Sequence, residues 1–198
     1  MTTAKTFGDL IWAGAARRSA WVRDALLVVG GSLFVAVCAR FQFPSAPIPF
    51  TLQAFAVLLV GAALGPRRGS IALVVYLLEG LGGLPVFSMP PYAGAAYFAG
   101  PTAGYLFSFP LAAGLVGWLA HRGWDRGVFR ALAALTMGQA LILGLGFAWM
   151  APTLGAKSAF DVGIAPFLVG DVLKIVVAAA ALPMAWRIVA LFDGPDRA

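Results

Sequence analysis

Residues 131–156 read ALAALTMGQALILGLGFAWMAPTLGA, 26 positions without an Asp, Glu, Lys or Arg. An apolar run of that length spans a hydrocarbon core, which needs about 20 residues of helix. Three more charge-free runs lie at 25–39, 41–66 and 80–120. Of the 198 residues, 61% are hydrophobic and only 11% charged, with a mean hydropathy of +0.90. Soluble domains carry about 25% charged residues. A 20.6 kDa globule cannot hide so much apolar surface from water. The chain is therefore read as an integral membrane protein, and a soluble enzyme or nucleic-acid binder is excluded.

Turn chemistry cuts the runs into spans. Breaks fall at Pro44, Pro47 and Pro49, at Gly65-Pro66-Arg67-Arg68-Gly69, and at Gly82-Gly83-Leu84-Pro85. Pro101 suits a first helical position. The expected fold is an all-α, six-transmembrane-helix bundle in one domain, 1–198. Its spans are expected at about 22–40, 50–66, 69–84, 101–121, 128–150 and 165–190, with an outer lid loop at 82–100. With the N-terminus inside, the cytoplasmic side holds Lys5, Arg17, Arg18, Arg23, Arg67, Arg68, Arg122, Arg126, Arg130, Arg187 and Arg197. Those are 11 of the 14 basic residues; Arg40 and Lys157 lie outside and Lys174 within the sixth span. Both termini are thus expected to be cytoplasmic, and the net charge of +6 is a topology signal. Residues 6–13 are expected to form a short interfacial helix. One Cys and one His leave neither a disulfide framework nor a Cys/His metal site. Cys38 reads as a buried thiol, with lipid anchoring the lesser alternative. Small residues recur four apart, as in Ser32/Ala36, Gly61/Gly65 and Ala113/Gly117, and let helices approach closely in lipid.

Two charges interrupt the sixth span, in Gly170-Asp171-Val172-Leu173-Lys174. Each costs about 2.5–3.5 kcal/mol on insertion scales, so their presence asks for a reason. The i, i+3 spacing puts both on one helix face. A structural ion pair is one reading and a ligand site the other. Entering at about Ala165, the helix sets Lys174 about 13 Å down, in the outer half of the membrane. The loop above it, 82–100, has no charge but carries Phe87, Tyr92, Tyr97 and Phe98. A solvated loop would be polar, so this one is expected to fold back as a lid over a cavity. Thr102 opens the fourth span beneath it, where free N–H groups suit a carboxylate. Thr51 and Gln53 stand at the outer start of the second span. An acid beside an amine complements a urea-like group, with its N–H donors and C=O acceptor.

Five motifs in register carry a resemblance: Pro47-Ile48-Pro49-Phe50-Thr51-Leu52-Gln53, Leu64-Gly65-Pro66-Arg67-Arg68-Gly69, Gly83-Leu84-Pro85-Val86-Phe87, Gly100-Pro101-Thr102-Ala103-Gly104-Tyr105 and Gly170-Asp171-Val172-Leu173-Lys174. From about Ala25 to Arg187 the chain resembles the BioY family, the biotin-specific S-components of energy-coupling factor (ECF) transporters. The resemblance implies a substrate-binding subunit in the bacterial cytoplasmic membrane that captures biotin at its outer face. It implies as partners a transmembrane coupling protein and a pair of ABC ATPases, with no cofactor and no enzymatic activity of its own. The chain has no Gly-rich ATPase-type phosphate loop, in keeping with energy supplied by those partners.

By the same resemblance Asp171 and Lys174 hold the ureido ring and Gln53 contacts a polar end of biotin. Phe87, Tyr92, Tyr97 and Tyr105 pack on the thiophane ring and valeryl chain. Ser32 and Ala36 resemble the small-residue face that meets the coupling protein. Leu106 follows Tyr105 where some members carry Arg, which leaves the carboxylate partner open. Arg40 is a candidate, with snorkelling to the interface the other reading. Glu79 is expected near the membrane interface, with a role in the site the second reading. Alternative functions are an S-component for thiamine or riboflavin, a membrane-embedded enzyme, and a channel or scaffold.

Overall fold

A computed structural model describes residues 6, 20–43, 50–90 and 92–192. Helix α1 spans Ala20–Arg40, and a two-residue antiparallel hairpin follows, β1 (Gln42–Phe43) with β2 (Phe50–Thr51). Then come α2 (Gln53–Leu81), α3 (Ala103–His121), α4 (Val128–Leu154), α5 (Ala156–Gly163) and α6 (Ala165–Phe192). Short 3-10 turns at Ala95–Ala99 and Trp124–Arg126 flank α3. Among the described residues, five helical stretches are long and apolar enough to cross a membrane. Except for Thr6, the expected interfacial helix at 6–13 lies outside the described residues.

Helix α2 is not straight. At Gly65 the backbone takes φ 80 and ψ −179, a conformation that only glycine adopts without strain. Pro66 follows; it lacks an N–H and disfavours a helical residue before it. The chain reverses here. Gln53 Nε2 donates to Tyr76 Oη over 2.8 Å, whereas a straight helix would hold these residues about 34 Å apart. A Cβ on Gly69 would come within 3.1 Å of the Gly61 Cα, so the two arms of α2 lie side by side. The break falls where the Gly65-Pro66 motif was expected to end the second span. That span starts later than expected, at Gln53, because Phe50 and Thr51 pair with β1 instead.

The fifth span also runs further than expected. Helix α4 continues past Pro152 to Leu154, and Gly155 turns the chain at φ 79 into α5. What was read as a loop before the sixth span thus holds a short helix.

Small residues bring α2 and α3 into backbone contact. A Cβ on Gly61 would meet the Ala113 carbonyl oxygen at 2.5 Å, and one on Gly117 would meet Gly65 C at 2.5 Å. The 61/65 and 113/117 pairs therefore pack on each other, the use such pairs have in lipid. Val35, Val57, Leu73, Val116, Leu135 and Ile142 fill the space between helices. The outward faces are apolar too: Val169 is 84% and Leu173 66% exposed. That is a surface made for hydrocarbon.

Candidate functional site

Five elements build a pocket at one end of the bundle. Its walls carry Thr51 from β2, Gln53 from α2, Thr102, Tyr105, Leu106 and Phe109 from the start of α3, Gln139, Ile142 and Leu143 from α4, and Phe167, Asp171 and Lys174 from α6. Ser88, Met89 and Tyr97 of the 82–100 segment close it. The empty space, mouth included, is about 610 Å³.

Asp171 and Lys174 meet as their spacing predicts: Lys174 Nζ donates to Asp171 Oδ1 at 3.2 Å. Lys174 also donates to the Thr51 carbonyl oxygen at 2.6 Å, tying α6 to the hairpin. Gln139 Nε2 donates to the other carboxylate oxygen, Asp171 Oδ2, at 2.5 Å. Both side chains of the pair are largely buried, with 7% and 12% of their surface exposed. An isolated charge at such depth is expensive, so each is held by a partner. A carboxylate has about four lone-pair positions, so each Asp171 oxygen can still accept an N–H from a ligand.

Gln53 belongs to a second relay. Its Nε2 donates to Tyr76 Oη, which donates at 2.9 Å to the carbonyl oxygen of Val86. The pocket wall is thereby coupled to the base of the lid. Tyr105 donates from Oη to the Gly163 carbonyl oxygen at 2.6 Å, anchoring the short helix α5.

The lid is folded inward over the pocket. Phe87 is fully buried and stacks against Tyr97, centroids 4.5 Å apart, and against Tyr76 and Phe98 at 5.6 and 5.5 Å. It lies behind the pocket wall instead of lining it, and supports Tyr97. Tyr92 is not in the lining either. It sits at a turn with φ 64 and carries the Arg40 guanidinium over its ring, 4.7 Å from the centroid. Arg40 Nη2 also donates to the Pro85 carbonyl oxygen. Arg40, exposed at the end of α1, fastens the lid there and is not among the residues lining the pocket.

Of the site residues read from sequence, Thr51, Gln53, Tyr97, Thr102, Tyr105, Asp171 and Lys174 come together here. Ser32 does not face outward toward a partner. It is fully buried and donates to Glu79 Oε2 at 2.5 Å, pinning α1 to α2. Glu79 is therefore paired inside the bundle; Ala36, half-buried, is the more exposed of the two small residues. At the start of α3 the Ala103 N–H already donates to Gly100 and the Tyr105 and Leu106 N–H groups to Thr102, so the helix end has fewer free donors than expected. Sequence reading missed Gln139, Ser88, Met89, Phe109 and Phe167. Gln139 had a signal, being the one amide within the 131–156 run.

The fold and the pocket define a multi-pass helical membrane protein with a lidded small-molecule site built around a buried acid–amine pair. A sequence model of the BioY family matches residues 8–191, and the chain belongs to the BioY family. It is 38% identical over 160 residues to the probable biotin transporter BioY of Pyrococcus horikoshii, covering 79% of this chain and 92% of that one. It is also 38% identical to the biotin transporter BioY of Thermotoga maritima, over 81% of this chain and 89% of the relative. In fold it is similar to the crystal structure of the S-component for biotin from an ECF-type ABC transporter. That likeness has a TM-score of 0.73 at 22% identity, over 84% of this chain and 92% of the other.

Proposed function

We propose that the chain captures biotin at the outer face of the cytoplasmic membrane and serves as the substrate-binding subunit of an ECF-type ABC transporter. The observation that carries this reading is the Asp171–Lys174–Gln139 cluster lining a lidded pocket in a BioY-family bundle. Ureido N–H groups have the Asp171 carboxylate as acceptor, and the ureido carbonyl has the Lys174 ammonium as donor. Phe109, Ile142, Leu143 and Phe167 give apolar surface for a thioether ring and an aliphatic chain. Biotin is cargo here and no cofactor is invoked. ATP hydrolysis falls to partner subunits, a coupling protein and an ATPase pair.

The proposed topology has six membrane helices and cytoplasmic termini. The reversal of α2 at Gly65 supports counting its arms separately. The bias of Lys and Arg toward one side supports the orientation. Equilibrium binding of biotin, thiamine and riboflavin to the purified, detergent-solubilised protein tests the reading. Tight binding of biotin alone is expected; capture of another vitamin with none of biotin refutes it.

A further inference from the structure

The pocket does not end at the lid. A second cavity, with about 1,070 Å³ of empty space including its open side, shares Met89, Tyr97 and Thr102 with the first. It is bounded by Pro90, Ala96 and Gly100 of the lid, by Pro101 just after it, by Met150 and Leu154 of α4, and by Ser158 and Val162 of α5. None of these residues is charged. The shared residues lie on the lid side of the pocket, and none belongs to the Asp171–Lys174–Gln139 network.

Among the described residues, three cations are found toward this end of the bundle, and each is engaged by groups of the chain itself. Lys174 donates to Asp171 and Thr51. Arg40 donates to the Pro85 carbonyl and covers Tyr92. Lys157 is 91% exposed and paired with Asp161 at 2.7 Å. Residues 44–49, which join β1 to β2, contain no charged residue. The Ala103, Tyr105 and Leu106 N–H groups at the α3 start are bonded within the chain.

On the functional reading above, we infer that the pocket recognises the ureido head by charge but not the carboxylate tail. The adjoining groove then admits a neutral substituent on that tail. The ligand class is biotin modified at its side-chain carboxyl, as an ester or an amide. A site that pairs a buried charge with the tail would reject such compounds, because an orphaned buried partner is costly. A neutral, open-ended site has no partner to orphan.

The test is competition against labelled biotin on the purified protein, using biotin methyl ester and biotin N-hexylamide. Both are expected to bind within about tenfold of biotin. Biotin binding with a loss on the order of a hundredfold or more for both derivatives overturns the inference and leaves the functional reading intact. Absence of biotin binding removes both. A second arm uses Ser158→Trp, which fills the groove without touching the pocket lining. It is expected to weaken the hexylamide at least fivefold while biotin is unchanged; equal affinity of the variant for both ligands shows that the tail does not enter this groove.

Discussion

Gln139 on α4 and Asp171 on α6 are joined by a 2.5 Å hydrogen bond that fixes the carboxylate facing the pocket. The bond holds Oδ2 while Lys174 holds Oδ1, so the acid is clamped from two helices. Hydrogen bonds to charged groups contribute about 1.5–3 kcal/mol. Gln139→Leu should therefore raise the Kd for biotin about ten- to a hundredfold, measured on protein that still elutes as one species. Unchanged affinity would show that Asp171 keeps its orientation without this amide.

The difference between Asp171 and Gln139 explains how far the site could be read from sequence. A charge in an apolar run is visible at once, because its insertion cost demands a partner. A neutral amide breaks no charge-free run, so Gln139 was passed over although it completes the same cluster. The reversal at Gly65 was legible because Gly-Pro carries its own backbone chemistry. The pairing of Ser32 with Glu79 was not, since it joins residues 47 apart on helices whose rotation no spacing rule sets. The lid was legible as apolar and aromatic. Which of its rings line the pocket was not: Tyr97 does, while Phe87 packs against Tyr97 and Tyr92 lies under the Arg40 guanidinium.

Close helix contact predicts a contrast between two glycines. A Cβ on Gly117 would sit 2.5 Å from Gly65 C and 2.7 Å from the Gly61 oxygen, both backbone atoms that cannot rotate away. Gly144 has nothing within 4 Å of the same position. Overpacking typically costs about 1–3 kcal/mol, whereas Gly→Ala in an unobstructed helix gains up to about 1 kcal/mol. Gly117→Ala should lower the Tm in detergent, and Gly144→Ala should leave it unchanged or raise it. A Gly117→Ala protein as stable as its parent would contradict the backbone contact between α2 and α3.

Asp125, in the turn between α3 and α4, predicts a pH effect at the opposite end of the bundle. It is buried, accepts a 2.6 Å hydrogen bond from Trp186 Nε1, and has an Oδ1 without a partner among the described residues. Burial pushes its carboxyl up from 3.8, against the opposing effects of Trp186, a backbone N–H and Arg126. A raised acid binds its proton more tightly folded than unfolded, so its contribution to stability falls as pH rises through that window. Below 3.8 the group is neutral in both states and the effect vanishes. Comparing thermal unfolding of wild type and Asp125→Asn across the acid range reads this directly. The difference should move in favour of the wild type as pH falls. A difference independent of pH would mean that the carboxyl titrates alike in the folded and unfolded states, so that burial does not raise it.

Arg40 should set how long the lid stays closed. Its guanidinium donates to the Pro85 carbonyl and lies over Tyr92, so two lid residues depend on one side chain at the end of α1. The Tyr76–Val86 hydrogen bond holds the same segment from beneath, so losing Arg40 loosens the lid without unfolding it. An exposed cation–π contact and one hydrogen bond are together worth about 1–2 kcal/mol. Arg40→Ala is then expected to speed biotin release by roughly five- to thirtyfold, with little change in Tm. Because the guanidinium is not among the pocket-lining residues, Arg40→Lys should restore only the charge and not the double contact. The measurement is stopped-flow dissociation of labelled biotin chased with excess unlabelled ligand. Wild-type release rates in both variants would place the rate-limiting barrier elsewhere than at this fastening.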